Sequence, residues 1–251
     1  MSGQLRVRPL TAMPEVRAGD DLGALVCAAA DPPPADGEIV VISQKVVSKA
    51  EGRLRRLSAV SPGGEARELA ARTGKDPRLV ELILAESRSV IRAAPGVLIT
   101  ETRDGWICAN AGIDSSNVPG VDVVALLPED SDASARRIRA EIAAAGGGAP
   151  AVIVADSFGR PWRLGQGEVA IGCAGIDPLD DWRGRGDAHG RPLAATRIAV
   201  ADQIAAAADL ARQKDAGAPG AIVSGLGRLV TGEDGPGARS QQRPAGEDLF
   251  R

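Results

Sequence analysis

Apolar positions along the chain follow two patterns: short runs of β-branched and aliphatic residues, and longer stretches with helical spacing. The short runs predict strands over residues 4–10, 38–43, 97–100, 106–109, 121–127, 169–173 and 221–224. The run Ala151-Val152-Ile153-Val154-Ala155 reads as a buried strand that ends at Asp156-Ser157, with Gly159 and Pro161 stopping it. Helical spacing predicts helices over residues 22–30, 64–72, 76–88, 131–145 and 196–212. Asp76 is a natural N-cap with Pro77 at the first helical position, and Leu79, Val80, Ile83 and Leu84 form an apolar face. Ser131 and Asp132 are candidate caps of a helix that turns Ile138 and Ile142 inward and ends at Gly146-Gly147-Gly148.

Strands 97–100 and 106–109 predict a hairpin around Arg103-Asp104-Gly105, and the mixture of hairpins and helices predicts a mixed α/β or α+β class. Residues 175–191 are polar and turn-rich and carry His189, the only histidine; so long a loop is expected to be functional or disordered. From about Gly232 the composition turns to that of a tail or linker, which divides the chain into a body over residues 1–230 and a tail over 231–251.

At 251 residues the chain can bury a sizeable core, and with aromatics at 2% and no tyrosine, Leu, Val, Ile and Ala must fill it. The net charge of −3 and the lack of a basic stripe interleaved with aromatics speak against nucleic-acid binding. Cys27, Cys108 and Cys173 are far apart and form no Cys-x-x-Cys pair, so small buried hydrophobes in a reducing compartment are expected. No apolar run is long enough to span a membrane and the first ten residues carry charge where a secretion signal needs an apolar run, so the cytoplasm is the expected location.

The chemistry concentrates in two acidic turns, which are expected to meet in space and hold metal ions. Asp114 in Asn110-Ala111-Gly112-Ile113-Asp114-Ser115-Ser116-Asn117, and Asp156 beside Ser157, each follow an apolar run. Magnesium and manganese take oxygen ligands, and magnesium is commonly held by one or two carboxylates plus phosphate oxygens. The alternative is that each Asp caps its own turn through nearby amides. Lys45, Lys49 and Arg53 follow the strand at 38–43, either as a solvated edge or as cations for phosphate. No P-loop, Gly-x-Gly-x-x-Gly fingerprint after a strand or Gly-x-Ser-x-Gly elbow is present. His189 lacks a paired nucleophile, and Trp162 and Trp182 are expected to pack.

The segments Lys45-Val46-Val47-Ser48-Lys49-Ala50-Glu51-Gly52-Arg53, Asn110 to Asn117, and Asp156-Ser157-Phe158-Gly159-Arg160-Pro161-Trp162 closely resemble the coenzyme F-420 gamma-glutamyl ligases, in order over residues 4–228. That resemblance implies an α/β fold particular to the family, an intertwined homodimer, and addition of L-glutamate to a deazaflavin coenzyme precursor, with GTP hydrolysed to GDP through an acyl phosphate. Further glutamates would join through their γ-carboxylates. It further implies that Asp114 and Asp156 bind a divalent ion, magnesium or manganese, that Ser157 binds a second, and that potassium is an additional ion the site allows. Thr11, Ala12, Met13, Pro14, Gln44, Lys45, Lys49 and Asn117 would line the GTP site, with Lys49 as counter-charge to phosphate.

The chain departs from that pattern at Ala12, where glycine is usual, at Gln44, where Ser or Thr is more common, and at Arg212-Gln213-Lys214, where some relatives offer a second-metal ligand. Its tail resembles the linker that, in some bacterial relatives, leads to a flavin-binding domain. From their position beside Asp156, Arg160 and Arg163 are expected to hold an anionic substrate. Two other functions share these residue types: another metal-dependent, carboxylate-activating phosphotransfer enzyme, and a non-catalytic nucleotide-sensing module. Paired carboxylates at the metal argue against the sensor.

Overall fold

The computed structural model describes residues 4–213 and 216–248; Lys214 and the last three residues of the expected tail lie outside them. In chain order the elements are β1 (Arg6–Pro9), α1 (Leu22–Ala29), β2 (Ile39–Ser43), α2 (Gln44–Ala50), β3 (Leu54–Arg56), α3 (Gly64–Thr73), α4 (Pro77–Ala85), β4 (Ser87–Ala94), β5 (Val97–Thr102), β6 (Ile107–Ala109), β7 (Val123–Ala125), α5 (Ser131–Ala144), β8 (Ala151–Arg160), β9 (Arg163–Ala174), β10 (Leu179–Asp181), β11 (Arg197–Ala199), α6 (Val200–Arg212) and β12 (Gly220–Ser224). The class is mixed α/β, as expected.

A five-stranded sheet in the order β1-β12-β2-β8-β9 forms the centre, with β2 and β8 parallel and the other neighbours antiparallel. Side chains alternate across a strand, so Val40, Ile42, Val152 and Val154 enter one core and Ile39, Val41, Ile153 and Ala155 the other. The first core is closed by α1, α2 and α5, through Leu22, Val26, Val46, Val47, Ile138 and Ile142. The second is closed by α6, through Ala201, Ile204, Ala205 and Ala208. Both faces of β2 and β8 are therefore dry, which accounts for their unbroken apolar runs. A smaller unit packs α3 and α4 against the three-stranded sheet β4-β5-β6 around Val80, Ile83 and Leu98.

Several expectations change. Gly159 does not stop the central strand: β8 continues to Arg160, turns through Pro161-Trp162 and returns as the twelve-residue β9. Asp156 and Ser157 thus lie within a long hairpin, where ladder pairing with Val169 and Glu168 satisfies the backbone. Ser87 to Ala94, partly taken for helix, forms β4, which is mostly exposed and lacks a clean alternation. The helix expected from Thr196 begins at Val200, after the short β11. Asp130 rather than Ser131 or Asp132 caps α5, accepting from the Ala133 amide at 2.9 Å. Asp132 is instead buried and accepts from the amides of Cys173 at 2.9 Å and Ala238 at 2.6 Å.

The described part of the expected tail lies against the body. Asp234 pairs with Arg139 at 2.9 Å, Ala238 is fully buried, and Arg239 reaches Asp104 at 3.0 Å. The polar loop before β11 is ordered by short-range carboxylate contacts, such as Asp181 with Arg183 and Asp187 with the amides of His189 and Arg191. All three cysteines are buried and free.

Candidate functional site

The switch from β2 to α2 has no intervening loop: Ser43 ends the strand and Gln44 starts the helix. Lys45 and Lys49 are four residues apart on that helix and so share a face. Both line a cleft of about 500 Å³, together with residues 13–16, Asp156, Ser157, Glu168 and Arg212. A second cavity of about 420 Å³ is lined by Asn110, Asp114, Ser116, Phe158 and Gln166. Lys45, Asn117, Asp156 and Ser157 line both, so the cavities share a wall.

Asp114 is fixed by backbone bonds to Ala125 of 3.1 and 2.8 Å. Just before it, Asn110, Ala111 and Gly112 all adopt left-handed conformations, with φ of 54°, 53° and 71°. For Asn and Ala that conformation carries strain of a kind that gathers at binding sites. The Lys45 ammonium lies 2.7 Å from the Asp114 carboxylate and donates to the Ser116 hydroxyl at 2.6 Å. The Ser116 amide and hydroxyl donate to Asp114 at 2.8 and 2.7 Å. Burial pushes the Asp114 carboxyl up, but bonds from Lys45 and Ser116 outweigh it and hold the carboxyl below its usual range.

Asp156 is pushed the other way, to about 7, first by burial and then by the negative charge of Glu168, against the Ser157 amide and Lys45, with Asp114 adding the smallest push. Asp114 and Asp156 line the same smaller cavity, so the two acidic segments do face one another. Ser157 donates to Glu168 Oε1 at 2.5 Å across the β8–β9 ladder, and Glu168 pairs with Arg212 at 3.3 Å with both side chains nearly dry. Among the described residues no group of three or more His, Cys, Asp and Glu side chains is gathered into a protein-only cage. The donor chemistry nonetheless fits a hard divalent ion, because Asp156 is a carboxylate whose charge burial and two like neighbours disfavour, and a cation supplies what it lacks.

Met13, Pro14, Lys45, Lys49 and Asn117 line the larger cleft. Lys49 is nearly buried and pairs with Glu15 at 2.6 Å. Thr11, Ala12 and Gln44 line neither cavity; Gln44 is fully buried and accepts from Ser48 at 3.0 Å. Arg53 is engaged elsewhere, by Glu86 at 2.5 Å and the Leu127 carbonyl at 2.9 Å. Arg160 and Arg163 flank the hairpin turn outside both cavities, with Arg160 donating to the Leu164 carbonyl at 2.5 Å. His189 is exposed and also outside them. Glu168 is a site residue that the sequence did not single out; Arg212, noted there as a departure from the family pattern, pairs with it. Counting ladder partners outward from the Pro161-Trp162 turn leads to Glu168, apart from the bulge that shifts the count.

Fold and site together define a mixed α/β protein with two adjoining cavities, a larger one lined by both cations and carboxylates and a smaller one lined by Asp114 and Asp156. A family profile described as F420-0:Gamma-glutamyl ligase matches residues 11–225. The chain is 45% identical over 243 residues to the coenzyme F420:L-glutamate ligase of Methanothermobacter thermautotrophicus, covering 95% of this chain and 96% of that one. It is 44% identical over 249 residues to the enzyme of that name from Methanopyrus kandleri, covering 98% of each. With that from Haloarcula marismortui it shares 46% over 226 residues, 87% of this chain and 86% of the other. The chain belongs to the F420-0:gamma-glutamyl ligase family.

Proposed function

We propose that the chain is a GTP-dependent ligase that joins L-glutamate to the deazaflavin coenzyme F-420 precursor, first one residue and then further γ-linked ones. The observation that carries this reading, beside family membership, is the shared wall. Lys45, Asn117, Asp156 and Ser157 border both cavities, so a phosphate donor in one can meet an acceptor in the other. An acceptor carboxylate oxygen attacks the γ-phosphorus, the bond from that phosphorus to the bridging oxygen breaks, and GDP leaves. The glutamate amine then attacks the acyl carbon, the bond to the phosphate oxygen breaks, and inorganic phosphate and a proton are released.

The chain's own residues position these groups. Lys45 and Lys49 counter phosphate charge from one helix face, and Met13, Pro14 and Asn117 complete the nucleotide wall. Ser157 is oriented by Glu168, which Arg212 in turn neutralises. Asp114, Asp156 and Ser157 would hold magnesium or manganese, in two sites with potassium as an additional ion, and such ions spread the charge of the transferring phosphoryl group. The nucleotide and ion assignments are supported by Lys45 and Lys49 in the larger cleft and by the burial and negative neighbours of Asp156.

A homodimer is part of the proposal, supported by Trp162 at 80% and Leu164 at 96% exposure on the β8–β9 hairpin tip. The three buried free thiols support a cytoplasmic setting. The test is release of GDP from GTP, which should require both the deazaflavin precursor and L-glutamate for sustained turnover. Turnover with glutamate but without the precursor would point to a different acceptor, and GTP binding without turnover under any acceptor would point to a sensor.

A further inference from the structure

We infer that Arg239, in the segment after β12, is a positioning residue: it pins the turn between β5 and β6 to the start of α5 and thereby sets where Asp114 stands opposite Asp156. The inference rests on the ion assignment proposed above. The two aspartates come from different parts of the fold. Asp156 lies on β8 of the central sheet, whereas Asp114 follows Ala111 and Ile113, which are buried in the core of the smaller unit with Val80, Ile83 and Leu98. The span between them is therefore set by how the smaller unit sits against the sheet, and a carboxylate pair that shares an ion tolerates little drift in it.

Residues 234–242 supply a tie across that junction. The segment is itself anchored to the body: Asp234 pairs with the buried Arg139 at 2.9 Å, and the Ala238 amide donates to Asp132 at 2.6 Å. From this anchor Arg239 reaches Asp104 at 3.0 Å and Asp130, the cap of α5, at 3.4 Å. Beside it the Gln242 side-chain amide donates to the Asp104 carbonyl at 2.8 Å. Gln242 also lies so near Gly105 that a Cβ there would be 2.7 Å from its Oε1. The gripped turn leads through Trp106, which packs against both cores of the central sheet, and then through β6 into Asn110-Ala111-Gly112 and Asp114. Burial pushes the Asp104 carboxyl up, and the Arg239 guanidinium is the foremost charge opposing it. Without Arg239, the like charges of Asp130 and Asp132 act against Asp104 and the turn loses its hold on α5.

Arg239→Met in the full chain should speed hydrogen exchange of the amides over residues 107–114 by about tenfold or more, as local opening of a loosened segment does, with β2 and α2 unchanged. Manganese titrated into the protein without substrates should bind about tenfold more weakly, the scale on which groups that hold metal ligands in place act. Arg239→Lys, which keeps the charge, should retain most of both. Adding Asp104→Asn to Arg239→Met removes the stranded carboxylate, so it should restore the melting temperature and leave the ion affinity low. Three results overturn the inference: unchanged exchange over residues 107–114, unchanged manganese affinity, or an affinity that the double variant restores together with the melting temperature. If the unaltered protein takes no manganese, the ion assignment fails, and the exchange rates still decide whether Arg239 holds the turn.

Discussion

Lys45 and Asp114 form an ion pair of 2.7 Å that joins the start of α2 to the turn before β7. Lys45 borders both cavities, so under the proposed function its loss would remove a phosphate contact and free Asp114 together. Lys45→Met should lower kcat for ligation by about 100-fold or more, the scale of losing one preorganised charge contact to the transition state. Circular dichroism should show an intact fold. Activity within a few-fold of the unaltered protein would remove Lys45 from the chemistry.

Asp156 makes the metal-free protein sensitive to pH. Its carboxyl is raised in the fold from 3.8 to about 7, so the folded state binds more protons than the unfolded state between those values. Stability contributed by the protonated form is full below about 4, declines as pH rises to about 7 and is flat above. Asp156→Asn should therefore raise the melting temperature of the metal-free protein at pH 8, with a ceiling of about 4 kcal/mol, while abolishing ligation. Manganese should stabilise the unaltered protein and leave the variant unmoved. A variant that ligates normally, or that still gains stability from manganese, contradicts the ion assignment.

Glu168 and Arg212 are both nearly dry, so removing one partner strands the other. Arg212→Met should destabilise the fold by on the order of 3 kcal/mol, read from urea unfolding. Replacing both, with Glu168→Gln and Arg212→Met, should recover part of that loss. A double variant no better than Arg212→Met would mean that the pair is not what the single substitution breaks.

Gly172 on β9 packs so close to α5 that an added Cβ would lie 2.2 Å from the Ser131 carbonyl oxygen. Backbone on both sides has no room to yield, and Gly172→Ala should cost about 3 kcal/mol or more. A melting temperature equal to that of the unaltered protein would show that α5 can move away from the sheet.

The hairpin tip offers a separate test. If the tip is the face of the proposed homodimer, the unaltered protein sediments as a dimer and Trp162→Ser with Leu164→Ser should shift it to monomer without lowering the melting temperature of the monomer. A dimer of undiminished affinity would place the interface elsewhere.

Elements built on strong local signals were legible in the sequence. Asp76 with Pro77 announced the start of α4, and the apolar runs of β2 and β8 announced a sheet buried on both faces. The acidic turns were legible as local motifs and were expected to meet, whereas the pairings that bring them together, the β8–β9 hairpin and the Asp114–Ala125 bridge, are long-range and left no local signal. Gly159 misled because a glycine ends a strand only where the partner strand also ends, and β9 continues past it. Gln44 opens a helix directly from a strand, without a side-chain cap, so α2 left no punctuation to read. Glu168 carried no local signal of its own, because its partner Arg212 lies far along the chain at the end of α6.

The most direct measurement is mass spectrometry of F420-0 after incubation with the protein, GTP, L-glutamate and manganese. The account predicts a gain of one or more glutamyl units in the unaltered protein and none in Asp156→Asn. An unchanged precursor mass in the unaltered protein, with the fold and GTP binding intact, would contradict it.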